Sequence, residues 1–456
     1  MKSLLIGLTI LLFGFNTFGQ QLNTETKEKK QERMEWWQDA RFGMFIHWGL
    51  YALPARHEWV MSNEKMSREK YEKYAEYFNP DLYNPTEWAK MAKNAGMKYV
   101  VFTAKHHDGF CMYDSKFTDY KVTNSPIGKD VMRELVDAFR AEGIRIGLYY
   151  SLIDWHHQDF TVKDPIHPLR NNKEEIKKDK KRDKTKYQAY LKNQLTEILS
   201  NYGQIDVLFT DFSYAQKENG KGKEYWDSEN VYKLIRKLQP QIIINDRLDL
   251  KEEKGWDFLS PEQFMPKEWV TYKGEKTPWE TCQTFSGSWG YHRDEYTWKS
   301  PHQTIVMLIE TVSKGGNLIL NVGPTGRGVI QKEAEDRLAQ TGEWMKFHSR
   351  SIYNCTAAPE GIETPDNCLL TYNPETNRLY VHVLEWPFKT IYLPGLKDKI
   401  EYAQLLNDAS ELKLKYTKGA WLDDATEGDT GIKIQLPVQK PDVEVPVIEI
   451  FLKDKI

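Results

Sequence analysis

Asp206-Val207-Leu208-Phe209-Thr210-Asp211-Phe212 places three consecutive apolar residues in front of a hydroxyl and a carboxylate. Amphipathic, helix-like patterns flank this stretch at 186–199 and 230–238. A continuous apolar run between two such helices describes a parallel strand buried on both faces. The unit recurs in both directions along the chain. Strand-like runs lie at 42–47, 99–103, 144–151, 242–246 and 317–322, with helical patterns at 85–95, 132–141 and 302–312 between them. These strands, with one or two weakly marked candidates near Trp59 or Asp257 and Glu280, predict an α/β fold, a (β/α)8-like TIM barrel rather than a short open sheet. No glycine-rich phosphate loop follows a strand, which removes the main support for a nucleotide-binding doubly wound sheet.

A last helical pattern at 331–347 ends the barrel unit. Beyond it lie the turn-rich segments Ala357-Ala358-Pro359 and Thr364-Pro365-Asp366-Asn367. Short alternating stretches follow at 379–383, 390–393, 402–406, 432–436 and 445–452, the pattern of a C-terminal antiparallel β-sandwich. A chain of 456 residues exceeds the usual single core. The expected division is a signal peptide at 1–20, a catalytic barrel at 21–353 and a β-sandwich at 354–456. Lys2, the apolar run 4–15 and Thr17-Phe18-Gly19 form the signal pattern. That run is too short to anchor in a bilayer, so the expectation is secretion to the periplasm or beyond, with no membrane span elsewhere. Residues 23–31 read as a charged, mobile lead-in.

A formal charge of −3 offers no electrostatic case for nucleic acid. Cys111, Cys282, Cys355 and Cys368 lack CxxC spacing, which argues against zinc. A Cys355–Cys368 bridge and buried free thiols both stay open. The 15 Trp and 25 Tyr are many for core packing alone, and aromatic faces suit the C–H side of a sugar ring.

Reactive side chains of a parallel barrel gather where strands end. The strand ends here read Phe45-Ile46-His47-Trp48-Gly49, Lys105-His106-His107-Asp108-Gly109, Tyr149-Tyr150-Ser151, Thr210-Asp211-Phe212 and Asn245-Asp246-Arg247, followed by Glu262 and Glu280. Paired carboxylic acids in such a pocket point to glycoside hydrolysis, one attacking the anomeric carbon and the other handling the proton. Asp211 is the expected nucleophile. A helix-capping role competes, but no helical pattern begins until after Trp226. Glu262 and Glu280 are both candidates for the acid/base, and each can equally pair with Arg247. A metal site built from His47, His106 and His107 meets the objection that adjacent strand residues face opposite ways. No metal or cofactor is expected. Ser286-Gly287-Ser288 does not form the strand-to-helix elbow of a serine hydrolase.

The run from Trp36-Trp37 through Arg41-Phe42-Gly43-Met44-Phe45-Ile46-His47-Trp48-Gly49 resembles the opening of the α-L-fucosidases of glycoside hydrolase family 29. So do Lys105-His106-His107-Asp108-Gly109-Phe110, Gly147-Leu148-Tyr149-Tyr150-Ser151, Asn245-Asp246-Arg247, Ser288-Trp289-Gly290-Tyr291 and 316–324, with its Asn-Val-Gly-Pro ending. The resemblance implies a retaining exo-glycosidase that removes terminal L-fucose from oligosaccharides or glycoconjugates through a glycosyl-aspartate. It implies Asp211 as nucleophile and His47, Glu58, Trp59, His106, His107, Tyr149 and Arg247 around the sugar, with Tyr150 the alternative to Tyr149. Glu262 is the first choice for the acid/base and Glu280 the second. Many relatives carry Trp and Gly where this chain has Phe209 and Phe212. That departure keeps an α-L-galactosidase in contention, because a hydrophobic pocket rejects one added hydroxyl poorly. A sugar-binding protein without catalysis is the remaining alternative.

Overall fold

The computed structural model describes residues 22, 25–415 and 431–455. The expected signal peptide at 1–20 lies outside them. Seven strands form one wholly parallel sheet: β1 (Phe42–Ile46), β2 (Tyr99–Lys105), β3 (Arg145–Ser151), β4 (Val207–Asp211), β5 (Ile243–Ile244), β6 (Glu280–Thr284) and β7 (Asn317–Val322). Their spatial order is β5-β4-β3-β2-β1-β7-β6, with every neighbouring pair parallel. The remaining gap between β5 and β6 is spanned by residues 257–262. Parallel bridges join Asn245 to Phe258 on one side, and Leu259 to Trp279 and Glu262 to Cys282 on the other. This irregular segment holds the eighth place of a (β/α)8-like barrel. No strand forms at Trp59, which instead leads into the short helix Val60–Asn63.

Period-two alternation divides each barrel strand between two cores. Phe42, Met44, Ile46, Val100, Phe102, Ile146, Leu148 and Leu208 face outward into the helix layer. Phe45, Val101, Tyr149, Phe209 and Ile319 face inward, into a compact interior. The inward place at Gly43 is filled by its neighbour, because a Cβ there would lie 2.4 Å from the Tyr99 ring.

Within the lead-in expected to be mobile, residues 27–31 open a helix. Thr26 caps the helix Lys27–Ala40 by accepting the Lys29 N–H, and Met34, Trp37 and Ala40 are buried against the barrel interior. Trp37 packs on Phe258 with ring centroids 4.8 Å apart. Arg33 ties the helix to the closing segment through both carboxylate oxygens of buried Asp257.

The helix Lys332–His348 precedes the antiparallel sandwich. Its larger sheet runs in the order Thr356–Ala357, Cys368–Asn373, Arg378–Val383, Val447–Leu452, Ile400–Leu405, and the smaller in the order Thr390–Leu393, Ile432–Gln435, Lys413–Lys415. Leu370, Val381, Ile434 and Ile450 pack between the sheets. Tyr380, Val445 and Val447 instead join the outer core of the barrel, and Trp344 Nε1 donates to the Val445 carbonyl at 2.9 Å. An unbroken apolar seam therefore connects the two parts. The four cysteines are buried and free. Among the described residues no helix is long and apolar enough to cross a membrane.

Candidate active site

A cavity of about 760 Å³ opens where the barrel strands end, and Asp211, Arg247, Glu262, His47 and Tyr149 contribute to its lining. Asp211 is the last residue of β4. Its carboxylate accepts the Tyr149 hydroxyl at 2.6 Å on Oδ2 and Arg247 Nη1 at 2.5 Å on Oδ1. The side chain is nearly buried, at 12% exposure, so these charge-assisted bonds act with little competition from water.

The Asn245-Asp246-Arg247 motif builds this arrangement residue by residue. Asn245 locks Thr210, its Oδ1 accepting the backbone N–H and the hydroxyl while its Nδ2 donates to the Thr210 carbonyl. The residue before Asp211 is thereby fixed. Asp246 accepts the N–H and hydroxyl of Ser260, holding the closing segment two residues before Glu262. Arg247 then bonds both carboxylates, Asp211 through Nη1 and Glu262 through Nη2 at 2.7 Å. One planar guanidinium so sets Asp211 and Glu262 over the same space.

Three imidazoles complete the floor. His47 Nδ1 lies 2.7 Å from Asn321 Oδ1, and burial pushes its pKa down to about 4. His107 Nδ1 contacts the Ser151 hydroxyl at 2.7 Å, and its Nε2 lies 3.8 Å from Asp211. Burial drives His106 and His107 well below the ordinary histidine range. All three are therefore neutral near pH 7, each able to donate and accept one hydrogen bond. His106 Nδ1 is buried with no protein partner.

Strand alternation had set His106 and His107 on opposite faces, yet both line the cavity. β2 ends at Lys105 after a register shift, so the pair belongs to the following turn and escapes the alternation. Lys105 is the residue that turns outward, to Asp154 at 3.0 Å. Alternation does hold in β3. Tyr149 faces the cavity, while Tyr150 donates to Gln194 on the helix Lys184–Ser200.

Glu58 and Trp59 also line the cavity. Glu58 Oε2 accepts the backbone N–H groups of Trp289 and Gly290 at 3.2 and 3.0 Å, and burial raises its pKa against the pull of His57 and those donors. Trp289 and Asn321 stood inside recognised motifs without an assigned role. Asn321 holds His47 on one side and donates to the Trp289 carbonyl at 2.7 Å on the other. Trp289 lies against His47 with ring centroids 5.0 Å apart. Such second contacts cannot be read from a motif without coordinates.

Glu280 is not brought to the cavity. It begins β6, opposite Asn317 at the start of β7, and so lies at the far end of the barrel. It is wholly buried, accepts the Tyr99 hydroxyl, and is pushed up to about 8 by burial. An unfolded carboxyl titrates near 4.5, so between that pH and about 8 the folded state binds the extra proton and stability falls as pH rises. Glu280→Gln stays neutral and keeps an acceptor for Tyr99. Urea unfolding at pH 5 and pH 8 is expected to show the variant gaining on the parent by a few kcal/mol toward pH 8, at about 1.4 kcal/mol per pKa unit.

Comparison with known proteins identifies a family. The alpha-L-fucosidase family model matches residues 16–350. The chain is 28% identical to human plasma alpha-L-fucosidase over 430 residues, covering 88% of this chain and 85% of that protein. Among solved structures, alpha-L-fucosidase isoenzyme 1 from Paenibacillus thiaminolyticus superposes with a TM-score of 0.86 at 43% identity, covering 93% of this chain and all 100% of that one. An alpha-L-fucosidase from Bacteroides thetaiotaomicron, a trapped covalent intermediate with 2-fluoro-fucosyl fluoride, superposes with a TM-score of 0.79 at 28% identity, over 93% of this chain and 96% of that chain.

Proposed function

Because the chain belongs to the alpha-L-fucosidase family of glycoside hydrolases, we propose that it removes terminal L-fucose from fucosylated glycans by double displacement, with Asp211 as nucleophile and Glu262 as acid/base. The observation that carries this reading is the single Arg247 guanidinium bonded to both carboxylates over one cavity. In the first step an Asp211 oxygen bonds to the anomeric carbon as the glycosidic C–O bond breaks, and Glu262 gives its proton to the departing oxygen. In the second, Glu262 takes a proton from water, the water oxygen bonds to that carbon, and the aspartyl ester bond breaks.

Arg247 and Tyr149 hold the nucleophile's two oxygens before attack. The neutral His47, His106 and His107 line the cavity and offer hydrogen bonds to sugar hydroxyls. The trapped covalent intermediate of the Bacteroides relative supports a glycosyl-enzyme route. The relatives compared above are all named for fucose, and none for L-galactose. Export through residues 1–20 belongs to the same reading.

Proton NMR of aryl α-L-fucoside hydrolysis tests the route. The α-anomer of free fucose is expected first, with the β-anomer growing only by mutarotation. A β-anomer formed first overturns the double displacement.

A further inference from the structure

The polar groups around Asp211 occupy the floor of the cavity, and a different set of side chains lines the way out. Phe212 is buried, Trp59 and Tyr214 are partly exposed, and Lys217 stands exposed at the rim. The Phe212 ring meets His107, Trp59 and Tyr214 edge-on, with centroids 5.0, 5.9 and 4.6 Å away. It therefore lies between the floor and the mouth.

Its backbone stands at φ +80°. For a bulky L-residue that region costs about 1–3 kcal/mol, whereas glycine occupies it freely. The conformation is held from both sides, by the Leu152 N–H donating to the Asp211 carbonyl at 2.9 Å and by the three rings around the phenyl group. A strained aromatic residue thus follows directly on the nucleophile position, and the strain aims its ring into the cavity.

One deoxyhexose does not fill about 760 Å³. With the fucosyl unit on the floor, the group it is attached to must lie along the exit. Flat aromatic surface there suits the apolar C–H face of a second sugar ring. We infer that Phe212 is a specificity-determining residue of a leaving-group subsite, where its ring, with those of Trp59 and Tyr214, receives the apolar face of a pyranose. The inference rests on the proposed hydrolase reading and adds to it the residue that receives the leaving group.

The test compares kcat/KM for α-L-fucosyl fluoride, whose leaving group is too small to reach Phe212, with that for fucosyl-galactose and fucosyl-N-acetylglucosamine disaccharides. In Phe212→Gly the disaccharide-to-fluoride ratio is expected to fall roughly 5- to 20-fold. In Phe212→Tyr it is expected to stay within about two-fold of the parent. The thermal midpoint of the glycine variant is expected to fall, because relief of about 1–3 kcal/mol of backbone strain does not offset the about 3–5 kcal/mol lost with a buried ring; the ratio, taken within one variant, is independent of the folded fraction. An unchanged ratio in Phe212→Gly overturns the inference while leaving the hydrolase reading intact. A parent protein inactive on the fluoride and the disaccharides alike sinks the hydrolase reading, and this inference with it.

Discussion

Asp211→Ala is expected to lower kcat on an aryl α-L-fucoside by about 10⁴-fold or more, the scale seen when a nucleophile is removed from a preorganised site. The variant should still fold. Arg247 keeps Glu262 and Ser260 as partners through Nε and Nη2, while its Nη1 and the Tyr149 hydroxyl lose their acceptor. One buried hydroxyl left unpaired costs about 1–3 kcal/mol. Added azide can enter the space vacated by the carboxylate and attack the anomeric carbon from that face. With a fucosyl fluoride donor the product is then the β-L-fucosyl azide, identified by NMR. Steady-state rates and thermal melts check the two halves of this expectation. Retention of more than a tenth of the parent activity in a folded variant would remove Asp211 from the nucleophile's place.

The second large effect concerns Glu262. Loss of its proton transfer in Glu262→Ala is expected to slow disaccharide hydrolysis by about 10²–10⁴-fold. Substrates with good leaving groups need little protonation, so an aryl fucoside should still form the glycosyl-enzyme and stall there. Azide then relieves the stall by attacking the ester without base assistance, and the product keeps the α configuration. Opposite azide stereochemistry in the two variants separates their roles without reference to absolute rates. If azide leaves the aryl fucoside rate of Glu262→Ala unchanged, the acid/base lies elsewhere.

The barrel was legible because β1 to β4 and β7 are buried along nearly their whole length and therefore read as unbroken apolar runs. Residues 257–262 were only weakly marked, near Asp257, since Asp257-Phe258-Leu259-Ser260-Pro261-Glu262 makes only isolated bridges and carries a proline. The helix Lys27–Ala40 hid its buried face in Met34, Trp37 and Ala40, three apolar contacts spaced by charged residues. Glu262 and Glu280 could not be ranked for a related reason. Reactive groups gather at the C-terminal ends of barrel strands, and Glu280 is the first residue of β6. Without that boundary a carboxylate beneath the barrel reads the same as one above it. Regular β3 let alternation separate Tyr149 from Tyr150, whereas the early end of β2 defeated the same rule at His106 and His107.

The eighth stave of the barrel joins its neighbours at a few points rather than along a ladder. Asp211 sits on β4, whose register with β3 is continuous from Gly147 to Ser151. Lengthening or shortening the loosely stitched stave moves Glu262 without unpicking the strand that carries Asp211. A change of length in this segment therefore shifts one carboxylate of the Arg247-bridged pair while the other stays anchored.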